Sequence, residues 1–386
     1  MKRLRVQHLG PIADADITFG DLTVLVGPQA SGKSLFVQTV KAVCDAKAIR
    51  NDLKNYGFDW KRTAAVQSFA EAYYGGGLRN LLNDQVRLTR DGNKSIKPSQ
   101  LALPMGKATE AESVYLIPAQ RVLMLQDGWP RPFMGYPISD PYSIKRFSES
   151  VRLLMERGLG ESAPIFPQPK RLKAELRDLL DRSIYQGGSL RVESDGPRKR
   201  IVLKRPDADA ITVGSWSAGQ REFTPLLLGF YWLMPGTRLT KRDEVKTVVI
   251  EEPEMGLHPQ AIVNLGLLLL ELLFRGYRVI VSTHSPVILD LVWAIKELKE
   301  APNAAAHQAL KRVFHLSKLL PQIKDIFDTA LEKTYRVYYF ERTEGKVTAR
   351  DISSLDPSSS DPNVSGWGGL SGFSGDIARA VGEALA

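Results

Sequence analysis

Cysteine is nearly missing from these 386 residues. Cys44 stands alone, which excludes an internal disulfide and a zinc cluster built on cysteines. Long apolar runs are missing too. A bilayer span needs about 20 consecutive apolar residues, and the longest candidate, 265–273, contains Glu271 and is followed by Arg275. The start, Met1-Lys2-Arg3-Leu4-Arg5, is basic but leads into an alternating segment rather than an apolar core, so no secretory signal is expected. No internal repeat is found. These absences set the expectation of a cytoplasmic chain without membrane contact. What is present, 43% hydrophobic and 25% charged residues, suffices for a buried core in two domains or in one with insertions. The net charge of +9 suits an anionic partner (nucleic acid, an acidic protein or a nucleotide) or a basic but uncommitted surface.

Along the chain, residues 4–9 and 12–19 alternate as half-buried strands do, and 22–26 is a short buried strand. A helix is expected at 35–48 and another at 63–73. A small hairpin follows around Asp91-Gly92, with a strand at 114–117. A Pro-rich link, 129–141, leads to helices near 144–157 and 170–183, which read as an insertion between two halves of one fold. A second Asp-Gly hairpin spans 189–204. Beyond it the pattern gives helix 223–234, strand 246–250, helix 259–274 and strand 278–282, and then strands at 336–341 and 346–352. The Ser- and Gly-rich stretch 353–375 reads as a loose tail, with a final helix at 376–385. Continuous apolar strands alternating with helices indicate an α/β fold with a mostly parallel sheet covered on both faces.

Gly27-Pro28-Gln29-Ala30-Ser31-Gly32-Lys33-Ser34 fits G-x-x-x-x-G-K-[ST] at every fixed position and lies between a buried strand and a helix. Such a loop turns its backbone N–H groups towards phosphates, and the helix dipole adds to this. Lys33 is then placed for the β- and γ-phosphates and Ser34 for Mg²⁺. The apolar run 247–250 ends in Glu251-Glu252-Pro253. Paired acids at a buried strand end repel each other and require a cation. Glu251 is the candidate for Mg²⁺, and Glu252 for orienting or deprotonating an attacking water. Ser282-Thr283-His284-Ser285-Pro286 ends the next strand, where ligands gather in α/β sheets, so His284 is placed to sense a γ-phosphate. Ser217-Ala218-Gly219-Gln220 opens a helix. That pattern serves either phosphate binding or a plain N-cap.

The four motifs, in this order over residues 27–284, resemble the ABC ATPase superfamily. Glu251-Glu252-Pro253-Glu254-Met255-Gly256-Leu257-His258-Pro259 followed by Ser-Thr-His-Ser-Pro is similar to the soluble branch holding OLD-family ATPases and RecF and SMC heads. The resemblance implies a P-loop NTPase with an N-terminal antiparallel β portion and a helical insertion. It divides the chain into an N-terminal head part (1–125), a helical lid or arm (126–188), a C-terminal head part (189–350) and the tail (351–386). It implies ATP and Mg²⁺ as ligands. ATP would touch Gly27, Gln29, Ala30, Ser31, Gly32, Lys33, Ser34 and Leu35, with Ser217, Gly219 and Gln220 acting across a dimer. Lys33, Glu252 and His284 would be catalytic. Gln120, in the Q-loop's place, would join Ser34 and Glu251 at the metal. The D-loop position carries Leu257-His258 rather than Leu-Asp, a departure from the family.

About 180 residues separate Ser34 from Ser217, too few for a long coiled coil, and the hundred or so after His284 show no Toprim-like acid cluster. The expectation is an ATPase head that resembles the subunits of the PARIS and Septu antiphage systems. Its partners would be a second copy, a separate Toprim- or HNH-type nuclease, and a trigger that is DNA or an acidic phage protein. The basic hairpin at Arg198, Lys199, Arg200, Lys204 and Arg205 is the candidate surface for that trigger, or a charged edge without a partner. The alternative is a RecF-like repair ATPase that clamps DNA on binding ATP.

Overall fold

The computed structural model describes residues 1–58, 62–103, 111–161, 163–196, 198–236, 241–371, 377 and 380–383. Their strands are β1 (Arg3–Leu9), β2 (Ile12–Thr18), β3 (Leu22–Val26), β4 (Arg87–Arg90), β5 (Lys94–Ile96), β6 (Val114–Ile117), β7 (Ser189–Asp195), β8 (Arg198–Lys204), β9 (Ile211–Thr212), β10 (Thr247–Glu251), β11 (Arg278–Ser282), β12 (Tyr335–Thr343) and β13 (Lys346–Asp351). Ten of them form one sheet in the order β5-β4-β1-β2-β13-β12-β3-β11-β10-β6. From β12 to β6 neighbouring strands run parallel.

Period-two alternation explains how this sheet is buried on both faces. In β10, Val248 and Ile250 enter one core while Val249 enters the other, and β11 repeats this with Val279 and Val281 against Ile280. The second core holds the helices Lys33–Asn55 and Ala65–Tyr74. The first holds Tyr142–Glu156, Ala218–Leu233, Pro259–Phe274, Pro286–Leu298 and Pro321–Glu332. The expected antiparallel N-terminal strands are present, but they continue the main sheet: the hairpin β12–β13 joins them to its parallel half, with β13 pairing β2 and β12 pairing β3.

Four expectations change. The insertion is not a projecting arm, because Ile144, Phe147, Val151 and Leu154 of its longer helix pack into the same core as the helix Ala218–Leu233. That helix also starts earlier than its apolar pattern suggests, at Ala218, because Ser217 caps it. Three helices, Pro286–Leu298, Asn303–Val313 and Pro321–Glu332, were not expected between His284 and β12. Two of them carry Pro at the first turn and buried residues at helical spacing (Ile288, Leu289, Leu291, Val292, Ile295; Ile323, Ile326, Phe327, Ala330), so the signal was there to read. The tail is not loose as far as residue 371: Ile352, Leu355 and Trp367 are buried against the first core. Of the final helix expected at 376–385, residues 377 and 380–383 are helical and the other half lies outside the described residues.

The strands β7, β8 and β9 form a separate antiparallel sheet. It is tied to the rest by Ile201 N donating to Gly128 O at 2.8 Å and by the pairing of Leu190 with Phe166. Two cations of the basic hairpin already face acids, Lys199 with Glu161 and Arg200 with Glu193.

Candidate functional site

β3, β11 and β10 end side by side, and each hands the chain to one part of the site. After β3 the phosphate loop turns through left-handed backbone at Gly27 (φ 146), Ala30 (φ 57) and Gly32 (φ 86). Glycine is required at two of these positions on packing grounds as well. A Cβ on Gly27 would lie 2.7 Å from Phe340 O, and one on Gly32 would lie 2.8 Å from Ile12 Cγ1. The loop is therefore seated on β12 and on the β1–β2 turn. Arg342 adds a bond to its apex, donating to Ala30 O at 2.7 Å. Ser31 and Lys33 are buried, Pro28, Gln29 and Ala30 are exposed, and Leu35 is half-buried beneath Gly10.

Lys33 folds back on its own loop. Its ammonium donates to Gly27 O (2.7 Å), Pro28 O (2.8 Å) and Ser31 Oγ (3.3 Å). Burial lowers its pKa to about 8, against the opposing pull of Glu252 and Glu254.

Glu251 is fully buried at the end of β10. The Ala119 N–H donates to its Oε2 at 3.3 Å and the Ser34 hydroxyl bonds its side chain, while Oε1 has no hydrogen-bond partner among the described residues. Desolvation first, and the neighbouring Glu252 in addition, raise its pKa to about 7. Ser282 Oγ, at the end of β11, is a second buried oxygen without a partner among the described residues. An orphaned carboxylate oxygen beside a loop hydroxyl fits Mg²⁺, which takes one or two protein oxygens and completes its shell with phosphate and water.

The raised pKa fixes a sign. Between about pH 4.5 and 7 the folded protein holds a proton on Glu251 that the unfolded chain has lost, so stability falls as pH rises through that window. The deficit is fully present at pH 8 and amounts to at most about 3 kcal/mol. Glu251→Gln is expected to melt higher than the parent at pH 8 without nucleotide, and to lose that advantage at pH 4.5. Melting curves at the two pH values check this.

Glu252 follows in left-handed backbone (φ 43), a conformation that costs a non-glycine residue roughly 1–3 kcal/mol. Its N–H donates to Ser282 O at 2.8 Å, and its carboxylate lies 3.5 Å from His284 Nε2. The His284 segment is held by Glu254, which accepts from Thr283 Oγ1 (2.7 Å) and from His284 N (2.6 Å). Glu254 was not singled out from the sequence, although it is the third acid of the Glu251-Glu252-Pro253-Glu254 run. Gln120 is exposed on the turn after β6, and its neighbours take the contacts instead: Ala119 reaches the Glu251 side chain and Arg121 its main chain. Arg121, buried and beside Gln120, is another residue that sequence reasoning missed, as is Arg342.

The structure thus gathers Lys33, Ser34, Glu251, Glu252 and His284. Ser217 and Gly219 stand apart. They line an open cleft of about 550 Å³ with Arg205, Gly256, Leu257 and His258, and no residue of 27–34 lines it. Ser217 and Gln220 form a reciprocal cap. Ser217 Oγ accepts from Gln220 N (3.3 Å), and Gln220 Oε1 accepts from Ser217 N (3.1 Å). Gln220 also donates to Ile184 O and is buried, so its side chain belongs to the helix start and the insertion. The exposed Ser217 and the half-buried Gly219 face the cleft.

A family model described as "AAA domain, putative AbiEii toxin, Type IV TA system" matches residues 132–290, which include Ser217, Glu251, Glu252 and His284 but not the phosphate loop. An OLD nuclease of Thermus scotoductus is 22% identical over 338 residues, an alignment covering 75% of this chain and 60% of that protein. The chain therefore spans about 60% of the length of that relative. Among solved structures, an Smc head bound to the C-winged helix domain of ScpA covers 91% of this chain and 96% of its own at 11% identity and a TM-score of 0.41. The SMC head domain from Thermotoga maritima covers 91% and 98% at 13% identity and a TM-score of 0.36.

Proposed function

We propose that this chain is an ABC-type ATPase head of the OLD- and SMC-like branch that binds and hydrolyses ATP between two copies of itself. The observation that carries the inference is the separation of the two half-sites. The phosphate loop, Glu251, Glu252 and His284 converge at one place, while Ser217 and Gly219 face a different cleft. One copy's Ser217 is then free to meet nucleotide held by the other's Lys33. In this reading Lys33 and the loop backbone bind the phosphates, and Glu251 with Ser34 holds Mg²⁺, which supplies charge neutralisation at the phosphates. Glu252 orients and deprotonates the attacking water, and His284, 3.5 Å from it, reports on the γ-phosphate.

Light scattering tests the dimer. A Glu252→Gln protein with ATP and Mg²⁺ is expected to double in mass, and Ser217→Arg, placed on the same background, is expected to stay monomeric while still binding ATP. A protein that remains a monomer with ATP bound overturns the two-copy site.

The biological reading is a bacterial antiphage ATPase that controls a separate nuclease-type effector. The OLD nuclease likeness and the toxin–antitoxin description of the matched family support it. Plating tests it: phage should form fewer plaques on cells carrying the gene with its neighbours, and a Lys33→Ala allele should restore them. Equal plating with both alleles refutes the defence role.

A further inference from the structure

Arg121 is among the largest fully buried side chains of the protein, and the reaction outlined above leaves it without a task. Its guanidinium sits where three elements meet. One nitrogen donates to Glu251 O at 3.0 Å and a second to Glu252 O at 3.2 Å. Nε donates to Glu222 O at 3.2 Å, on the helix that begins after Ser217, and the Glu222 carboxylate lies at 4.0 Å.

The need for such a group follows from the sheet. β10 pairs with β6 only as far as Ile250 opposite Ile117, so the carbonyls of Glu251 and Glu252 run past the ladder on that side. A buried carbonyl without a donor is costly. The planar, forked guanidinium supplies two donors at once in fixed geometry, which a lysine cannot do. On the opposite side the Glu252 N–H is anchored to Ser282 O at 2.8 Å. The Glu252 residue is thus pinned at both ends while its backbone stands at φ 43, outside the range an unrestrained glutamate prefers.

We propose that Arg121 is a positioning residue for hydrolysis: it holds Glu252 in left-handed backbone, so that its carboxylate is aimed at the attacking water, and fastens the Glu252 main chain to the helix that begins after the exposed Ser217. It touches neither nucleotide nor water. The inference rests on the reading of Glu252 as the base, and its test separates the two.

The experiment compares Arg121→Lys with the parent in two assays: steady-state hydrolysis, and binding of ATP carrying a fluorophore on its ribose. ATP affinity is expected to stay within about twofold, while kcat falls by about 10²-fold, the scale on which a misplaced catalytic group acts. On the Glu252→Gln background the same change should cost nothing further, because residues that act as one unit are not additive. A fall in ATP affinity that matches the fall in kcat, or losses that add on the Glu252→Gln background, overturns the proposal in favour of a merely structural arginine. An unchanged kcat in Arg121→Lys with Glu252→Gln inactive overturns it as well and leaves Glu252 standing. An active Glu252→Gln protein removes the premise instead. If Arg121→Lys does not fold, Glu222→Gln takes its place. It withdraws the carboxylate facing the guanidinium while keeping all three main-chain bonds, so kcat should fall severalfold at constant ATP affinity, and an unchanged kcat counts against the proposal.

Discussion

Glu252→Gln is expected to lower kcat for ATP hydrolysis by about 10²- to 10⁴-fold, the range over which a positioned general base acts. The amide keeps the shape of the side chain and its place near His284, but it cannot accept a proton. ATP affinity should not fall, because Glu252 stands beyond the phosphate loop and its charge repels the nucleotide. The ATP-bound dimer should therefore accumulate. Single-turnover assays and light scattering read the two effects separately. Hydrolysis within threefold of the parent would mean that the water is activated elsewhere, with Glu254 the next carboxylate along that segment.

The second large effect concerns Lys33. Lys33→Ala should weaken ATP binding on the order of 10²-fold or more, since an ammonium on phosphate oxygens makes charge-assisted bonds worth roughly 1.5–3 kcal/mol each. Stability without nucleotide should respond differently. The ammonium is buried and its pKa is lowered to about 8. Between about pH 8 and 10.5 the unfolded chain holds a proton that the folded one has lost, so stability rises with pH through that window. Below pH 8 the charged lysine burdens the folded state, and Lys33→Ala should melt no lower than the parent at pH 7. Calorimetry of the nucleotide titration, together with melting curves at pH 7 and 10, checks both halves. Lower melting with normal ATP affinity would reverse the assignment.

Much of the site was legible because its chemistry is local in sequence. The phosphate loop needs glycine, lysine and serine at fixed spacing between a strand and a helix, and it stands there between β3 and the helix Lys33–Asn55. The acids at the end of β10 follow an apolar run that only a buried strand explains. What was not legible depends on contacts between distant segments. Gln120 was named and Arg121 was not, because which of two neighbours turns inward is decided by the 3₁₀ turn after β6 and by unpaired carbonyls on a strand some 130 residues away. Arg342 was invisible for the same reason: its bond to Ala30 spans 312 residues. Gln220 reads equally well as a phosphate ligand or a helix cap, and only its bond to Ile184 O shows how its amide is used. The helices between His284 and β12 carry readable apolar spacing, with buried residues three and four apart at Ile288, Leu291, Val292 and Ile295 and at Ile323, Ile326, Phe327 and Ala330.

The strand order carries a consequence for how the protein is made. β3, which leads into the phosphate loop, pairs with β11 and β12, and both are synthesised about 250 residues or more after it. At ribosomal rates of about 5–20 residues per second, β3 emerges tens of seconds before either neighbour exists. The nascent N-terminal hairpin can fold early, but the apolar edge of β3 stays open until the hairpin β12–β13 arrives, and only then can Phe340 and Arg342 seat the loop. Seating of the Gly27–Ser34 loop is therefore a late event in the life of the chain, and a protein truncated before residue 335 is expected neither to bind nucleotide nor to stay out of aggregates.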